Sequence, residues 1–236
     1  MAFVCTMKEG FWSSFHNQAL LAYNSTYSFG ANYENRFGLS ELSTRSAAVI
    51  IPAGKSSVGT AFSDFGYHDF RRNNAVLGCG IKFSERLAAG VQVDYFSERT
   101  SGEYENRQSV TFEAGLVVAA SENITAGIHF FNPVPNSMRK TEMPMSVNAG
   151  AGIRLNSSLF AGIEAEMSTG HNLDIRTGLE YEAVKNLWLR AGYATNNNSF
   201  CFGTGYRYGI ASIDIGFSSH DRLGITSAVS VIIKIH

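Results

Sequence analysis

The chain has 236 residues, a formal net charge of -1, 44% hydrophobic residues and only 17% charged residues. This balance offers no basic excess for nucleic-acid binding, and the charged share lies below the roughly 25% that is usual in soluble domains. No stretch approaches the ~18 continuous apolar residues of a spanning helix, which excludes helical membrane insertion. Cys5, Cys79 and Cys201 form no CxxC pair, so neither a disulfide framework nor a zinc site is expected.

The N-terminal stretch, MAFVCTMKEGFW, comes before any strand pattern. Its apolar run is too short for the core of a signal peptide, and no basic region precedes that run. If the protein is exported, we expect its signal peptide to have been removed or to lie upstream of residue 1.

From about Asn24 onward, apolar and polar residues alternate with the period of a β-strand. In LWLRAGYAT, for example, Leu187 and Leu189 share one face, whereas Trp188 and Arg190 share the other. About fourteen such segments follow one another, an even number. They cover residues 24–36, 39–51, 56–66, 73–84, 87–99, 107–120, 123–131, 144–155, 159–168, 173–183, 186–195, 199–208, 211–219 and 223–235.

The connections between these segments fall into two kinds. Those after even-numbered segments are brief, such as SER and VKN, whereas several after odd-numbered segments are longer, such as GYHDFRRNN and NPVPNSMRKTEMP. Tight turns at one end and longer loops at the other are typical of barrels in bacterial outer membranes. The pattern predicts an all-β fold, a closed antiparallel up-and-down transmembrane β-barrel of about fourteen strands. The barrel would span 23–236, and 1–22 would be a short N-terminal segment that precedes or partly plugs it.

The two faces of the predicted strands differ in composition. One face is apolar, and the other is rich in glycine with scattered charges, unlike the Lys-, Glu- and Thr-rich outer face of a soluble sandwich. The apolar face would meet lipid, and the glycines would let the walls of a crowded lumen approach one another. These glycines are Gly150, Gly152, Gly162, Gly178, Gly192, Gly203, Gly205, Gly216 and Gly224. A soluble all-β protein such as a propeller is the alternative, but no repeat of blade length supports it.

Charged residues on the inner face are predicted to pair with one another, because a buried charge requires a partner. This lumen charge network comprises Arg154, Glu164, Glu166, Asp174, Arg176, Glu180, Arg190, Arg207 and Asp214. Glu164 and Glu166 could also serve as the paired carboxylates of a hydrolase. The arginines on nearby strands favour a structural ladder of ion pairs instead.

No catalytic, metal or cofactor site is predicted. The sequence GKS at 54–56 lacks the first glycine of a phosphate-binding loop, and SSHD at 218–221 places its residues on opposite faces of a strand. The longest connection is either inert or a loop that binds a partner. The candidate contact residues of this loop are Asn132, Pro133, Pro135, Arg139 and Lys140.

Several phrases, taken in order, resemble a known family. They include FWSSFHNQALLA, YENRFGLSELSTRSAAVIIP, HFFNPVP, GLEYEAVKNLWLRAGY and IDIGFSSHDRLGIT. Together they resemble the PorV-like branch of the FadL-type outer-membrane barrels over nearly the whole chain. The resemblance implies fourteen strands with both termini in the periplasm. Family members carry a W-x-N-P-A-G-L-A motif before the first strand. Asn17, Ala19, Leu20 and Ala22 match it, and Gln18 replaces its proline, which changes the turn expected there.

The resemblance implies one of two functions in the outer membrane of a Gram-negative bacterium. FadL-type members bring hydrophobic small molecules through the membrane with a long N-terminal hatch and large loops, whereas PorV-like members are accessory barrels of protein-secretion or barrel-assembly machinery. Only about twenty residues precede the first predicted strand, and most loops are short. The sequence therefore favours a non-catalytic accessory or structural subunit, whose partners would be outer-membrane lipid and other outer-membrane or periplasmic proteins. A transporter of hydrophobic small molecules is the alternative, and an enzyme acting on lipid lacks a nucleophile–base pair.

Overall fold

A computed structural model describes residues 4–101, 106–133, 137–138 and 141–235 of the chain. Fourteen strands form its barrel. They are β1 (Tyr27–Asn35), β2 (Ser43–Ala53), β3 (Ser56–Gly66), β4 (Phe70–Ser84), β5 (Leu87–Thr100), β6 (Arg107–Ala119), β7 (Ile124–Phe131), β8 (Ser146–Arg154), β9 (Leu159–Ser168), β10 (Asp174–Val184), β11 (Leu187–Ala194), β12 (Ser199–Tyr208), β13 (Ala211–His220) and β14 (Gly224–Ile235).

The remaining elements are short. The 3₁₀ helices span Trp12–Phe15, Gln18–Tyr23, Ser40–Leu42 and Asn196–Asn198, and a separate hairpin pairs Ser137–Met138 with Thr141–Glu142. Among the residues that the structure describes, no helix has the length and hydropathy needed to cross a membrane.

The strands pair antiparallel with their neighbours in the chain, and β14 pairs with β1 to close the barrel. In this closing seam Tyr27 lies opposite Ile235, and Asn35 lies opposite Ser227. A closed barrel has no open sheet edge, and this is the only strand arrangement in which a sheet can cross a bilayer. The prediction of a closed, antiparallel, up-and-down barrel with about fourteen strands is confirmed.

The two ends of the barrel differ in their connections. At one end, which we call the short-turn end, four of the six turns have two residues, 54–55, 85–86, 185–186 and 209–210. Gly54, Asn186 and Gly209 have positive φ angles there, as tight hairpin turns require. The other end, the long-loop end, carries the connections after odd-numbered strands.

Two loops at the long-loop end differ from the sequence prediction. Strand β4 begins at Phe70, earlier than predicted, because Arg72 continues the pairing and reaches Glu98 on β5 at 2.9 Å. The β3–β4 loop is therefore confined to 67–69. Conversely, the β1–β2 loop extends over 36–42, where the sequence predicted only a brief turn.

Side chains along each strand alternate between an apolar outer face and a polar inner face. On β5, Val91 is 63% exposed, whereas its neighbour Gln92 is 2% exposed and Asp94 is 1% exposed. The outward row of β13 and β14 is likewise apolar and includes Ile213, Ile215, Phe217, Ile225, Val229, Val231, Ile233 and Ile235. The exposed apolar surface forms the belt that lipid would cover. The buried apolar side chains lie inside the barrel, between its wall and the N-terminal segment.

Candidate functional site

Residues 4–23, here called the plug, lie inside the barrel. Inward glycines on the surrounding strands give the plug room, since a Cβ added to any of them would touch plug atoms. These glycines are Gly30, Gly59, Gly78, Gly80, Gly90, Gly115, Gly127, Gly150, Gly152 and Gly162. The sequence interpretation had attributed inward glycines to close approach of the walls. On β1, and on strands β3–β9, which we call the plugged side, they instead face this inserted segment.

Polar side chains fix the plug backbone. The carboxylate of Glu164 on β9, 3% exposed, accepts hydrogen bonds from the backbone N–H groups of Cys5 at 3.0 Å and Thr6 at 2.9 Å. The fully buried Asn17 donates from Nδ2 to the Thr6 carbonyl at 2.6 Å and accepts at Oδ1 from the Ala19 N–H at 3.1 Å. Asn17 therefore caps the second 3₁₀ helix and ties it to the first residues of the plug.

Gln18, which replaces the proline of the family motif, has a defined role in this fold. It opens the second 3₁₀ helix, and its side-chain amide donates a hydrogen bond to Glu113 on β6. The same carboxylate lies 3.0 Å from Nε2 of His129 on β7, within hydrogen-bond distance. Glu113 and His129 are both almost fully buried, so the lumen wall holds a polar cluster against the plug.

The sequence analysis did not single out this polar cluster. Glu113 and His129 do occupy the polar positions of their alternating strands, so the alternation predicts that their side chains point inward. Their partner, however, is a plug residue about 95 positions away in the sequence. No local pattern connects two positions that far apart.

The structure brings most of the proposed lumen charge network together around two arginines. Arg176 on β10 pairs with Asp174 at 2.7 Å and with Glu166, and it lies 3.8 Å from Glu164. Arg190 on β11 pairs with Glu180 at 2.7 Å and with Asp214. These contacts join strands β9 to β13 across the lumen wall.

A residue outside the proposed network completes it. Lys8 of the plug forms an ion pair with Glu180, so the plug and the wall share one line of charges, Lys8–Glu180–Arg190–Asp214. Burial lowers the pKa of the Lys8 ammonium, and the Glu180 carboxylate opposes that shift. We call this line of four residues the ion-pair chain.

Two members of the proposed network form no ion pair within the described part of the chain. Arg154 is exposed near the short-turn end and makes no ion pair with the residues that the structure describes. Arg207 is exposed, and its guanidinium lies 5.1 Å from the ring centroid of Trp188, at the mouth of the lumen.

Strands β11–β14, here called the open side, border two cavities that the plug does not fill. The short-turn cavity, about 450 Å³, lies between the plug and the wall and is lined by Lys8, Trp188, Arg207, Ser212 and Lys234 among others. The long-loop cavity, about 310 Å³, is lined by residues such as Asn32, Cys201, Gly203, Ser218 and Thr226. Arg190, Asp214 and Ser230 line both cavities, so the end of the ion-pair chain lies between them.

A further contact between plug and wall is apolar. Phe11 and Leu21 of the plug pack against Ala48, Ile50 and Ile232 of the wall, with Trp12 and Phe15 beside them. We call this set the aromatic cluster, since the Phe11 ring lies 5.0 Å from Trp12 and 5.9 Å from Phe15.

Directly outside the aromatic cluster, the lipid-facing wall carries an apolar depression of about 430 Å³. Small residues such as Ala31, Ala47 and Ala61 form it, and the larger side chains of Phe29 and Phe62 flank it. We call it the wall groove.

The residues proposed for a partner-binding loop have different positions. Asn132 is 1% exposed and bonded within the barrel, since its Oδ1 accepts from Thr111 at 2.6 Å and its Nδ2 donates to the Met143 carbonyl at 2.9 Å. Asn132 therefore fixes the base of the loop. Pro133 is exposed, and Pro135, Arg139 and Lys140 lie outside the described residues.

These features define a closed fourteen-stranded antiparallel β-barrel with the fold of FadL-like outer-membrane proteins and a plug within its lumen. The chain is similar to the toluene transporter TbuX of Ralstonia pickettii, with a TM-score of 0.80, 10% identity, and coverage of 100% of this chain and 97% of that one. It is also similar to a FadL homologue of Pseudomonas aeruginosa, with a TM-score of 0.75, 12% identity and coverage of 98% and 96%.

The toluene transporter TodX of Pseudomonas putida is a further structural neighbour, with a TM-score of 0.73, 11% identity and coverage of 99% and 95%. No protein-family model matches the sequence, and no curated protein sequence matches it either. At these low identities, the likeness establishes the fold of this chain.

Proposed function

We propose that this protein is an outer-membrane channel for small hydrophobic molecules. The observation that carries the proposal is the aromatic cluster of Phe11, Trp12 and Phe15, which lies against a wall that carries an apolar groove on its lipid side. An apolar solute would meet apolar surface on both sides of that wall, and such contact is favourable for it. Two structural neighbours that align over nearly their whole length are toluene transporters, which supports this choice of solute class.

In the structure described here, β14, β1, β2 and β3 pair without a break across this region. Transport along this route therefore requires the plug to move and the wall to open locally. Gly30 and Gly59 of the wall lie directly against the plug aromatics, because Cβ atoms there would meet the rings of Phe11 and Phe15.

The two tryptophans of the chain provide a direct test of where an apolar solute binds. In the Trp188→Phe variant, Trp12 in the aromatic cluster is the only tryptophan left, and we expect bromobenzene to quench its fluorescence with saturation. In the Trp12→Phe variant, the remaining Trp188 lies on β11 outside the aromatic cluster and should show only weak, linear quenching. Equal quenching of the two variants would contradict binding at the aromatic cluster.

Transport itself is tested by uptake of radiolabelled toluene into cells that lack other hydrocarbon channels. The wild-type chain should raise the initial uptake rate above that of cells without it, and the double variant Phe11→Ala, Phe15→Ala should reduce that gain. Tyr67→Ala, at an exposed aromatic residue of the β3–β4 loop, is the matched control and should leave uptake unchanged. Uptake no faster than in empty cells would overturn the proposal.

A second candidate function is a non-catalytic accessory subunit of an outer-membrane protein complex, such as secretion or barrel-assembly machinery. The ion pairs of Arg190 with Glu180 and Asp214 favour this function, because they lie across the open side of the lumen, where an apolar solute would have to pass charged groups. The sequence resemblance to PorV-like barrels points the same way. Purification from outer membranes in mild detergent is the test, and recovery of a free monomer alone would exclude this candidate.

A further inference from the structure

The open side of the lumen has the form of an interrupted aqueous passage. The short-turn cavity and the long-loop cavity lie at successive depths beside the plug and share Arg190, Asp214 and Ser230 as lining residues. Both linings mix charged and hydroxyl-bearing side chains and glycine with aromatic and aliphatic residues, and the polar groups among them can be hydrated. Phe11 and Trp12 of the aromatic cluster also line the short-turn cavity, so this cavity and the cluster border the same part of the plug.

The ion-pair chain lies where the two cavities meet. Arg190 is held from two directions, by Glu180 at 2.7 Å and by Asp214, and Glu180 is held in turn by Lys8. The side chains of all four residues are largely buried, with exposures between 13% and 27%. A charge-assisted pair of this kind fixes the long arginine side chain across the route.

The glycines around this point make the arginine the main obstruction. Arg190 guanidinium atoms lie near the backbone of Gly205, within 3.0 and 3.2 Å of where a Cβ would be. Gly203 and Gly216, further along the same wall, add no side chain to the route. Removal of the Arg190–Asp214 ion pair would therefore leave a gap bordered by glycines, with no side chain from those positions to fill it.

The short-turn cavity carries an excess of positive charge. Arg207 and Lys234 line it, and neither forms an ion pair with a residue in the described part of the chain. Lys8 and Arg190 are balanced by Glu180 and Asp214, and Glu9 is the remaining acid of the lining. Anions that enter from this end would meet two cations with open coordination.

We propose that the open side of the lumen is a gated passage for small anions and that the Arg190–Asp214 ion pair is its gate. The pair lies between the two cavities and closes the passage there, and Arg207 with Lys234 selects for anions at the short-turn mouth. Chloride and inorganic phosphate are of a size that such a cavity admits.

The gate is tested by conductance of the full chain in planar lipid bilayers in KCl. The wild-type protein should conduct weakly, and the double variant Arg190→Ser, Asp214→Ser should conduct at least about tenfold more, since it removes the obstruction without changing the net charge. The matched control is Arg72→Ser, Glu98→Ser, which removes an ion pair of 2.9 Å on the plugged side and should leave conductance at the wild-type level. Equal conductance of wild type and gate variant overturns the gate.

Selectivity is tested in the open variant under a KCl gradient. The reversal potential should show preference for chloride, and the further substitutions Arg207→Glu and Lys234→Glu should reverse its sign. A preference that stays unchanged would overturn the assignment of these two cations. If the double gate variant does not fold, as judged by heat-modifiable gel mobility, the isosteric Asp214→Asn variant releases one side of Arg190 and should raise conductance about twofold or more.

The two proposals fail independently. Conductance is measured without any apolar solute, and toluene uptake is measured without an ion gradient. A chain that conducts chloride but takes up no toluene would refute the proposed function and leave the gated passage intact. The reverse result would refute the passage alone.

Discussion

The plugged side and the open side of this barrel use the same residue type, an inward glycine, for different purposes. On β4–β6, Gly80, Gly90 and Gly115 touch the backbone or polar side chains of the plug. On β13, Gly216 has only a carbonyl oxygen at 3.9 Å from where its Cβ would be. A glycine-rich lumen face therefore does not by itself mean a packed lumen. What lies opposite each glycine decides whether the wall binds a chain segment or borders a cavity.

The largest difference should appear when the same methyl group is added to each side. In Gly80→Ala, the new Cβ would lie 2.5 Å from the Gln18 carbonyl oxygen and 2.8 Å from the Ala22 nitrogen, so the plug must shift. We expect a loss of about 3 kcal/mol in the free energy of plug docking. Gly216→Ala meets nothing closer than 3.9 Å and should change it by less than about 0.5 kcal/mol.

Limited trypsin digestion of the folded barrel measures this difference. Lys8 is the only trypsin site before Arg36, and it is held inside the lumen by Glu180. Cleavage after Lys8 should accelerate in Gly80→Ala and stay at the wild-type rate in Gly216→Ala. Similar rates for the two variants would show that the plug is not held by close packing against the glycines.

A smaller effect is expected from the polar anchors of the plug. Glu164→Ala removes the acceptor of the buried Thr6 N–H and of the partly buried Cys5 N–H. We expect plug docking to weaken by about 2 kcal/mol. Glu166→Ala, two residues along the same strand, removes only a partner of Arg176 and should weaken docking by no more than about 0.5 kcal/mol.

Hydrogen–deuterium exchange at the amides of Cys5 and Thr6 is the measurement for this pair of variants. Protection should fall in Glu164→Ala and persist in Glu166→Ala. Loss of protection in both would indicate that the acidic strand as a whole, and not one carboxylate, anchors the plug.

The smallest effect should come from the mouth of the open side. Arg207 is exposed and contacts the Trp188 ring at 5.1 Å without an ion pair among the described residues. Arg207→Ala should lower the free energy of unfolding in urea by about 0.5 kcal/mol, as expected for an exposed cation–π contact. A loss of several kcal/mol would mean that the open side is as tightly coupled to the fold as the plugged side.

The fold was predictable because alternation with period two is a local signal that each strand carries on its own. Apolar residues such as Val91, Phe202 and Ile225 face outward in every such strand, and fourteen segments with tight turns between pairs of them imply closure. Boundaries at the long-loop end were less accurate. There the pairing of Arg72 with Glu98 extends β4, and this tertiary contact has no sequence signature.

The candidate site was only partly predictable. The charges of β9–β13 were recognised on the inner face, and Arg176 and Arg190 do gather the acids around them. Lys8 and Gln18 were not recognised as partners of the wall, because their contacts with Glu180 and Glu113 join positions far apart in the sequence. The glycine content predicted a crowded lumen, and residues 1–22 were expected to precede or partly plug the barrel, but the sequence did not indicate which wall glycines this segment would contact.

The seam between β1 and β14 has a consequence for the order of folding. It joins residues from opposite ends of the barrel sequence, such as Tyr27 and Ile235, and non-local pairing of this kind forms late because a long loop must first be closed. The plug is covalently attached just before β1, so it is available to template the curved sheet while the cylinder is still open. If the sheet packs around the plug before β1 and β14 pair, the plug does not have to be threaded into a closed barrel.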